Sequence, residues 1–172
     1  MSQRQPFDLQ TYVREIQTRP CFICEMVARN PAYAHEIIYE DDRAIVFLNK
    51  YPTLYGYVLV APRQHCEQVT GDFTPAEYLA LQQVIYRVTE AVRQVIKPER
   101  VYILSLGSQQ GNKHVHWHIA PLPFGVPFEE QQLEALSMKN GFLQLNADEM
   151  LALVTQLRET LAATGFSGDR HD

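Results

Sequence analysis

The sequence predicts an α+β fold built on an antiparallel sheet. Three observations carry this reading. Apolar residues at helical spacing (Leu81, Val84, Ile85, Val88, Val92 and Val95) define one long helix in mid-chain. About five short runs read as strands, and they do not alternate with helices as parallel βαβ units would. Helical patterns also stand near both ends, so the order is helix, strands, long helix, strands, helix.

The elements follow in chain order. A first helix is predicted over residues 8–17, with Leu9, Tyr12, Val13 and Ile16 on one face and Pro20 ending it. Cys21-Phe22-Ile23-Cys24-Glu25-Met26-Val27 reads as a turn entering a short helix. Strands over 36–39 and 44–48 flank a turn at Asp41-Asp42. A third strand covers 57–61, after a loop containing Pro52 and Gly56. Thr74-Pro75-Ala76-Glu77 opens the long helix. Thr caps it, Pro fits a first-turn position that needs no donor, and Glu reaches back to the cap. A strand over 101–106, a polar loop over 107–113 and a strand over 114–120 follow, the last stopped by Pro121 and Pro123. Beyond them the pattern predicts a loop at Pro127, a short helix over 131–138 and a helix over about 147–163. Asn146 and Glu149 cap this last helix, which turns Met150, Leu153, Val154, Leu157 and Leu161 inward. Residues 165–172 are expected to fray.

Composition limits the function classes. At 172 residues the chain suits one domain, or one domain with an extension. Such a chain buries roughly two thirds of its unfolded surface and needs no disulfide framework. Apolar residues at 46% and charged residues at 20% exclude wholesale disorder. Fifteen Lys and Arg against twenty Asp and Glu leave a net charge of −5 and no basic face, which argues against extended nucleic acid as a partner. A small anion is still accommodated, because a local site can be positive on an acidic protein. No apolar run reaches ~18 residues, so no membrane span is expected. Residues 1–6 lack the apolar stretch of a secretory signal. Three cysteines then read as thiols or metal ligands, and the cytoplasm is the expected location.

His114-Val115-His116-Trp117-His118-Ile119 carries the chemistry. Alternate residues of a strand share a face, so three imidazoles line one face over ~13 Å while Val115, Trp117 and Ile119 take the other. A sheet with one packed and one polar face would present all three to a cleft. Packing does not ask for this, since Thr, Lys or Glu would serve an exposed edge as well. Neutral imidazole can attack phosphorus or acyl carbon and leave again. A second imidazole can orient the first or protonate a leaving group, or several can hold a metal. The preceding loop, Gly107-Ser108-Gln109-Gln110-Gly111-Asn112-Lys113, offers amides, a hydroxyl, backbone N–H groups and one cation, a set that suits phosphate oxygens. Cys21-x-x-Cys24 is half of a tetrahedral zinc site, or a redox pair. His35, His65, His171 and the three strand histidines could complete it. Cys66 is a rival ligand that reads better as a small buried side chain.

Together these residues resemble the histidine triad family of nucleotide hydrolases and transferases. Its His-φ-His-φ-His-φ-φ signature, φ being apolar, is matched at every place by His114 to Ala120. Val46-Phe47-Leu48-Asn49-Lys50-Tyr51-Pro52 and the run from Gly56 to Pro62-Arg63-Gln64-His65 resemble the family's strand, loop and strand ending in Pro-x-x-His. Cys21-Phe22-Ile23-Cys24 ahead of the Tyr39-Glu40-Asp41-Asp42 turn is a third match. The resemblance covers roughly residues 20–123. It implies a sheet of about five antiparallel strands with a long helix packed on it. Residues 1–19 then form a helical N-terminal extension and 124–172 a C-terminal one.

The resemblance also implies roles. His116 would be the nucleophile that attacks an α-phosphate and forms a nucleotidyl-histidine, and His118 would contact phosphate and assist. Cys21, Cys24, His65 and His114 would hold a structural zinc, with no open position for water. Asn49 would bind ribose hydroxyls, Phe47 and Leu48 would wall the base, and Gln110 and Gly111 would lie near the leaving group. The implied partner is a small nucleotide, and a homodimer is left open. The sequence departs from the family pattern where Tyr57 follows Gly56 in place of His, and where Gly111 stands in place of Ser or Thr. The implied reaction is nucleotide hydrolysis or nucleotidyl transfer, with cleavage at the α-phosphate of a dinucleoside polyphosphate or nucleoside phosphoramidate. Two rivals are a nucleotide-binding sensor with little turnover and a metalloenzyme whose catalytic ion sits on the triad. A purely structural zinc module would leave His116 and His118 without a purpose.

Overall fold

The computed structural model describes residues 3–166. β1 (Gln3–Gln5) leads into α1 (Leu9–Thr18) and α2 (Phe22–Val27). β2 (Ile37–Glu40), β3 (Ala44–Leu48) and β4 (Val58–Pro62) follow. α3 (Pro75–Ile96) precedes β5 (Arg100–Ser105) and β6 (Trp117–Leu122), and then come β7 (Phe142–Gln144) and α4 (Ala147–Ala163). Five strands form an antiparallel sheet in the order β2-β3-β4-β6-β5, and β1 and β7 form a separate two-stranded ribbon. The fold is α+β with a long helix on the sheet, as the element order predicts.

The period of two along each strand sorts the core. Ala44, Val46, Leu48, Val58, Val60, Trp117 and Ile119 point to one face, where Val84, Val88 and Val92 of α3 and Leu153, Val154 and Leu157 of α4 cover them. Each aliphatic side chain so buried contributes roughly 1.5–3 kcal/mol, opposed by chain entropy. Both long helices start in capping boxes: Thr74 with Glu77, and Asn146 with Glu149. α3 ends where Lys97 turns left-handed at φ 52° ahead of Pro98.

The other face was expected to be polar and open. Instead Ile45, Phe47, Leu59 and Ala61 lie beneath Ile23 and Met26 of α2, so β3 and β4 are buried on both sides. The strand expected over 114–120 also differs. β6 begins at Trp117, because its pairing with both neighbours stops there, at Val60 and Ser105. Upstream the chain leaves the sheet, and the Val115 N–H donates to the Cys66 carbonyl at 2.7 Å. At the other end Pro121 lies inside β6. Pairing to β4 has already ended at Ile119, so on that side its missing N–H costs no ladder bond.

The tail also departs from expectation. Residues 131–138 form turns, bounded by 3-10 turns at Phe128–Glu130 and Met138–Asn140. The β1–β7 ribbon had no sequence signal. It is secured by Arg4, whose guanidinium donates to the Thr53 carbonyl at 3.0 Å and the Gly141 carbonyl at 3.2 Å. Phe7, Tyr12, Tyr51 and Phe142 cluster beside it at ring separations of 5.1–6.2 Å. Phe166, within the stretch expected to fray, stacks on Tyr39 at 4.3 Å. Residues 167–172, His171 among them, lie outside the described residues. No described helix is long and apolar enough to cross a membrane.

Candidate functional site

Antiparallel register sets Phe47, Leu59 and His118 side by side on one sheet face. Two residues upstream of His118, His116 lies just beyond the end of β6. His116 and His118 stack obliquely, ring centres 4.8 Å apart. Neither stands on a wet surface. His114 is 1% exposed and His116 5%, and His118 is half-buried.

Hydrogen bonds to carbonyls fix the tautomers, because a carbonyl can only accept. His116 Nδ1 lies 2.8 Å from the His114 carbonyl, so Nδ1 carries the proton. Burial depresses the basicity of His116 and keeps the ring neutral. Its Nε2 therefore holds a lone pair, on a residue that lines the cavity. Ser105 Oγ donates to the His116 carbonyl at 2.9 Å and steadies the backbone there. His118 Nδ1 is 3.0 Å from the Tyr57 hydroxyl, while its Nε2 is buried with no partner among the described residues. Burial, and then the neighbouring His116, push His118 down to about 3.

The first triad histidine turns away from the other two. His114 Nε2 donates to the Pro62 carbonyl at 2.9 Å, which leaves Nδ1 as the acceptor. That Nδ1 lies 3.4 Å from Cys21 Sγ and 3.6 Å from Cys24 Sγ, and His65 Nδ1 lies 3.2 Å from Cys24 Sγ. The donor atoms of Cys21, Cys24, His65 and His114 all fall within 4.8 Å of one another. Tetrahedral zinc with its usual bond lengths would set sulfur and nitrogen about 3.6 Å apart, so this donor set fits such an ion. His65 Nε2 lies 3.2 Å from Glu67 Oε1, the kind of carboxylate contact that orients a ligating histidine. Burial, with Cys21 alongside, raises the uncomplexed Cys24 thiol to about 12.

His116 and His118 open on a cavity of about 540 Å³, a size suited to a small ligand. Asn49 lines it, with its side-chain oxygen accepting the Tyr51 N–H at 3.0 Å. Other residues expected here are placed elsewhere. Leu48 points to the opposite sheet face and belongs to the helix-covered core. Phe47 is fully buried behind the wall, packed against Phe22 and His35. Gln110 is exposed and does not line the cavity. Gly111 is covered by α1: a Cβ there would come within 2.8 Å of the Ile16 side chain. The next residue, Asn112, faces the cavity in place of both.

The family profile described as HIT domain matches residues 30–124. This chain belongs to the HIT family. It is similar to an uncharacterised HIT-like protein of Saccharolobus solfataricus, 33% identical over 108 residues that cover 59% of this chain and 73% of the relative. Protein hit of Bacillus subtilis is 26% identical over 104 residues, covering 59% and 70%. Among solved structures, a hypothetical histidine triad nucleotide-binding protein from Sulfolobus tokodaii superposes with a TM-score of 0.66 at 23% identity, covering 83% of this chain and 93% of the other. A zinc-bound histidine triad family protein from Mycobacterium smegmatis gives 0.64 at 23% identity, covering 84% and 95%. At these identities the solved structures establish the fold.

Several cavity residues of this HIT protein were not placed there by the sequence, and His35, a candidate zinc ligand by residue type, lies here and outside the metal-binding cluster. Tyr12, Arg19, Phe22, His35 and Tyr51 all line the cavity, and Tyr57 does so while also contacting His118. Tyr57 was noticed only as a departure from the family pattern. For Tyr12 the apolar stripe of the first helix was a signal, because it marks a face that needs a partner. Nothing in the pattern named that partner as the loop before the triad.

Proposed function

We propose that this HIT protein is a nucleotide hydrolase or nucleotidyltransferase that cleaves at the α-phosphate through a nucleotidyl-His116 intermediate. Family membership supports action on nucleotides in general terms. The observation that carries the finer reading is the His116 tautomer: Nδ1 is committed to the His114 carbonyl, and the cavity-lining ring keeps an unprotonated Nε2. That nitrogen attacks phosphorus, an N–P bond forms, and the bond from phosphorus to the leaving group breaks with its electron pair on the leaving group. Water then attacks the same phosphorus. The N–P bond breaks, His116 recovers its lone pair, and the nucleoside monophosphate departs. The Tyr57 hydroxyl holds His118 through Nδ1, and the His118 ring, which lines the cavity beside His116, assists as charge gathers on the phosphoryl oxygens. Asn49, its carbonyl oxygen already used by Tyr51, retains an amide NH₂ for the ribose hydroxyls.

We assign Cys21, Cys24, His65 and His114 to a structural zinc. When bound, zinc supplies a cross-link, with all four positions filled by protein. His116 and His118 stand outside that donor set, which favours a nucleophile over a catalytic ion on the triad. The His114 carbonyl that orients His116 belongs to a residue whose ring is in the cluster, so anchoring the ring steadies the nucleophile.

Incubation with dinucleoside polyphosphates and adenosine phosphoramidates, stopped for mass spectrometry, tests the proposal. An adenylyl adduct on His116 is expected. His116→Ala is expected to lose turnover by about 10³-fold or more while keeping one zinc per chain. Undiminished turnover in that variant would overturn the assignment.

A further inference from the structure

Arg19 has no role in the chemistry above, yet it lines the same cavity. It follows α1 directly, and its guanidinium is held on three sides. Nη2 donates to Asn112 Oδ1 at 3.0 Å, and the Tyr12 and Phe22 rings each lie 5.5 Å from its central carbon. Among the described residues Asn112 is the guanidinium's only hydrogen-bond partner, and it has no carboxylate partner. A guanidinium carries five N–H donors, so most of them are free.

The surroundings point to an anion. Lys50 also lines the cavity, resting on the Tyr51 ring, and among the described residues it has no carboxylate partner. His35 lies close enough to both cations for them to add to the burial that depresses its basicity, so it stays neutral. Glu15 is the one acidic residue in the lining, outnumbered by the two cations. A half-buried guanidinium beside another cation is costly to leave uncompensated. A phosphate oxygen pair matches its planar fork.

Position decides which phosphate. Phe22 touches both Arg19 and the proposed nucleophile, its ring 5.5 Å from the guanidinium carbon and 6.2 Å from the His116 ring centre. These two contacts, with both residues in the cavity lining, bring the guanidinium within a phosphate chain's reach of His116. Gln110 and Gly111, expected beside the leaving group, are outside the cavity. Asn112 and Arg19 occupy the lining that they leave.

We propose that Arg19, presented by α1 and braced by Asn112, receives the phosphate chain of the leaving group. Polyphosphate leaving groups are therefore preferred to amines. This deepens the nucleotidyl-histidine reading and rests on it for the identity of the reacting phosphorus.

Two measurements on the full chain test it. The first is the ratio of kcat/KM for diadenosine tetraphosphate to that for adenosine phosphoramidate, in wild type, Arg19→Gln and Arg19→Lys. Gln keeps a donor for Asn112 and removes the charge. The ratio is expected to fall about 10- to 100-fold in Arg19→Gln and to recover most of that in Arg19→Lys. A merely structural role would lower both substrates together and leave the ratio in place, which overturns the proposal. The second is equilibrium binding of ATP and of AMP. Wild type is expected to favour ATP, and Arg19→Gln to close that gap by about tenfold or more. Equal affinities in the wild type, or an unchanged gap in the variant, overturn it. If wild type turns over neither substrate while the gap closes, the nucleotidyl-histidine reading fails and the phosphate receptor stands.

Discussion

His118 shows how one side chain's environment sets its chemistry. Burial holds it neutral down to about pH 3, so unfolding lets it take up a proton at its ordinary value near 6.5. Because the folded value lies below the unfolded one, its contribution is complete above pH 6.5. It is lost progressively as pH falls from there toward 3. Between pH 7 and pH 5 that loss is about 2 kcal/mol. Urea denaturation of wild type and His118→Asn at both pH values checks this. The variant is expected to lose about 2 kcal/mol less stability over the interval, and an equal loss would contradict the account. Tyr57→Phe removes the hydroxyl 3.0 Å from His118 Nδ1. It is expected to lower kcat while leaving KM within about threefold, because the bond orients the group proposed to act on charge in the transition state.

The grouping of these residues was largely legible in the sequence. Three histidines at alternate positions, and two cysteines three apart, declare themselves by spacing alone. His65 needed the family resemblance, since nothing local ties it to Cys21. The bonds that give each imidazole its task were not legible, because they run to the backbone at Pro62 and at His114 itself. Alternation along β3 already separated Asn49 from Leu48. Placing Leu48 in the base wall overlooked that parity.

Among the elements, those with long periodic patterns were legible and the three-residue strands were not. α3 and α4 declare both cap and stripe. Thr74→Ala removes one half of a capping box and is expected to cost about 1 kcal/mol, read as a lower urea midpoint at unchanged slope. β1 and β7 are too short for a period, and their partnership spans most of the chain. It depends on Gly141, whose φ is +74° and where a Cβ would lie 2.2 Å from the Gln5 carbonyl oxygen. Backbone has to shift to admit it. Gly141→Ala is expected to detach β1, to expose Arg4 to trypsin and to cost about 2 kcal/mol. Limited proteolysis with mass mapping reads the first effect and denaturant unfolding the second.

At the scale of the molecule, the proposed zinc ties α2, the chain after β4 and the segment before β6 into one knot. A chelator is expected to lower the melting temperature by about 10 °C or more, and Cys24→Ser to do the same without chelator. Burial raises the uncomplexed Cys24 thiol, so zinc binding must release protons. Zinc affinity is therefore expected to climb about tenfold or more from pH 6.5 to 7.5 in a competition titration. A flat dependence would contradict ligation through these half-buried thiols.

The β1–β7 ribbon has a consequence for biosynthesis. The proposed nucleophile and the cysteine cluster are all translated by residue 118, but the first strand of the N-terminal arm that walls their pocket has no strand partner until β7 emerges, some two dozen residues later. A nascent chain on the ribosome therefore passes through an interval in which the three imidazoles are all translated while the arm beside them is only partly secured. Stalled-ribosome chains ending before and after β7 are expected to differ in how fast diethyl pyrocarbonate reaches His116.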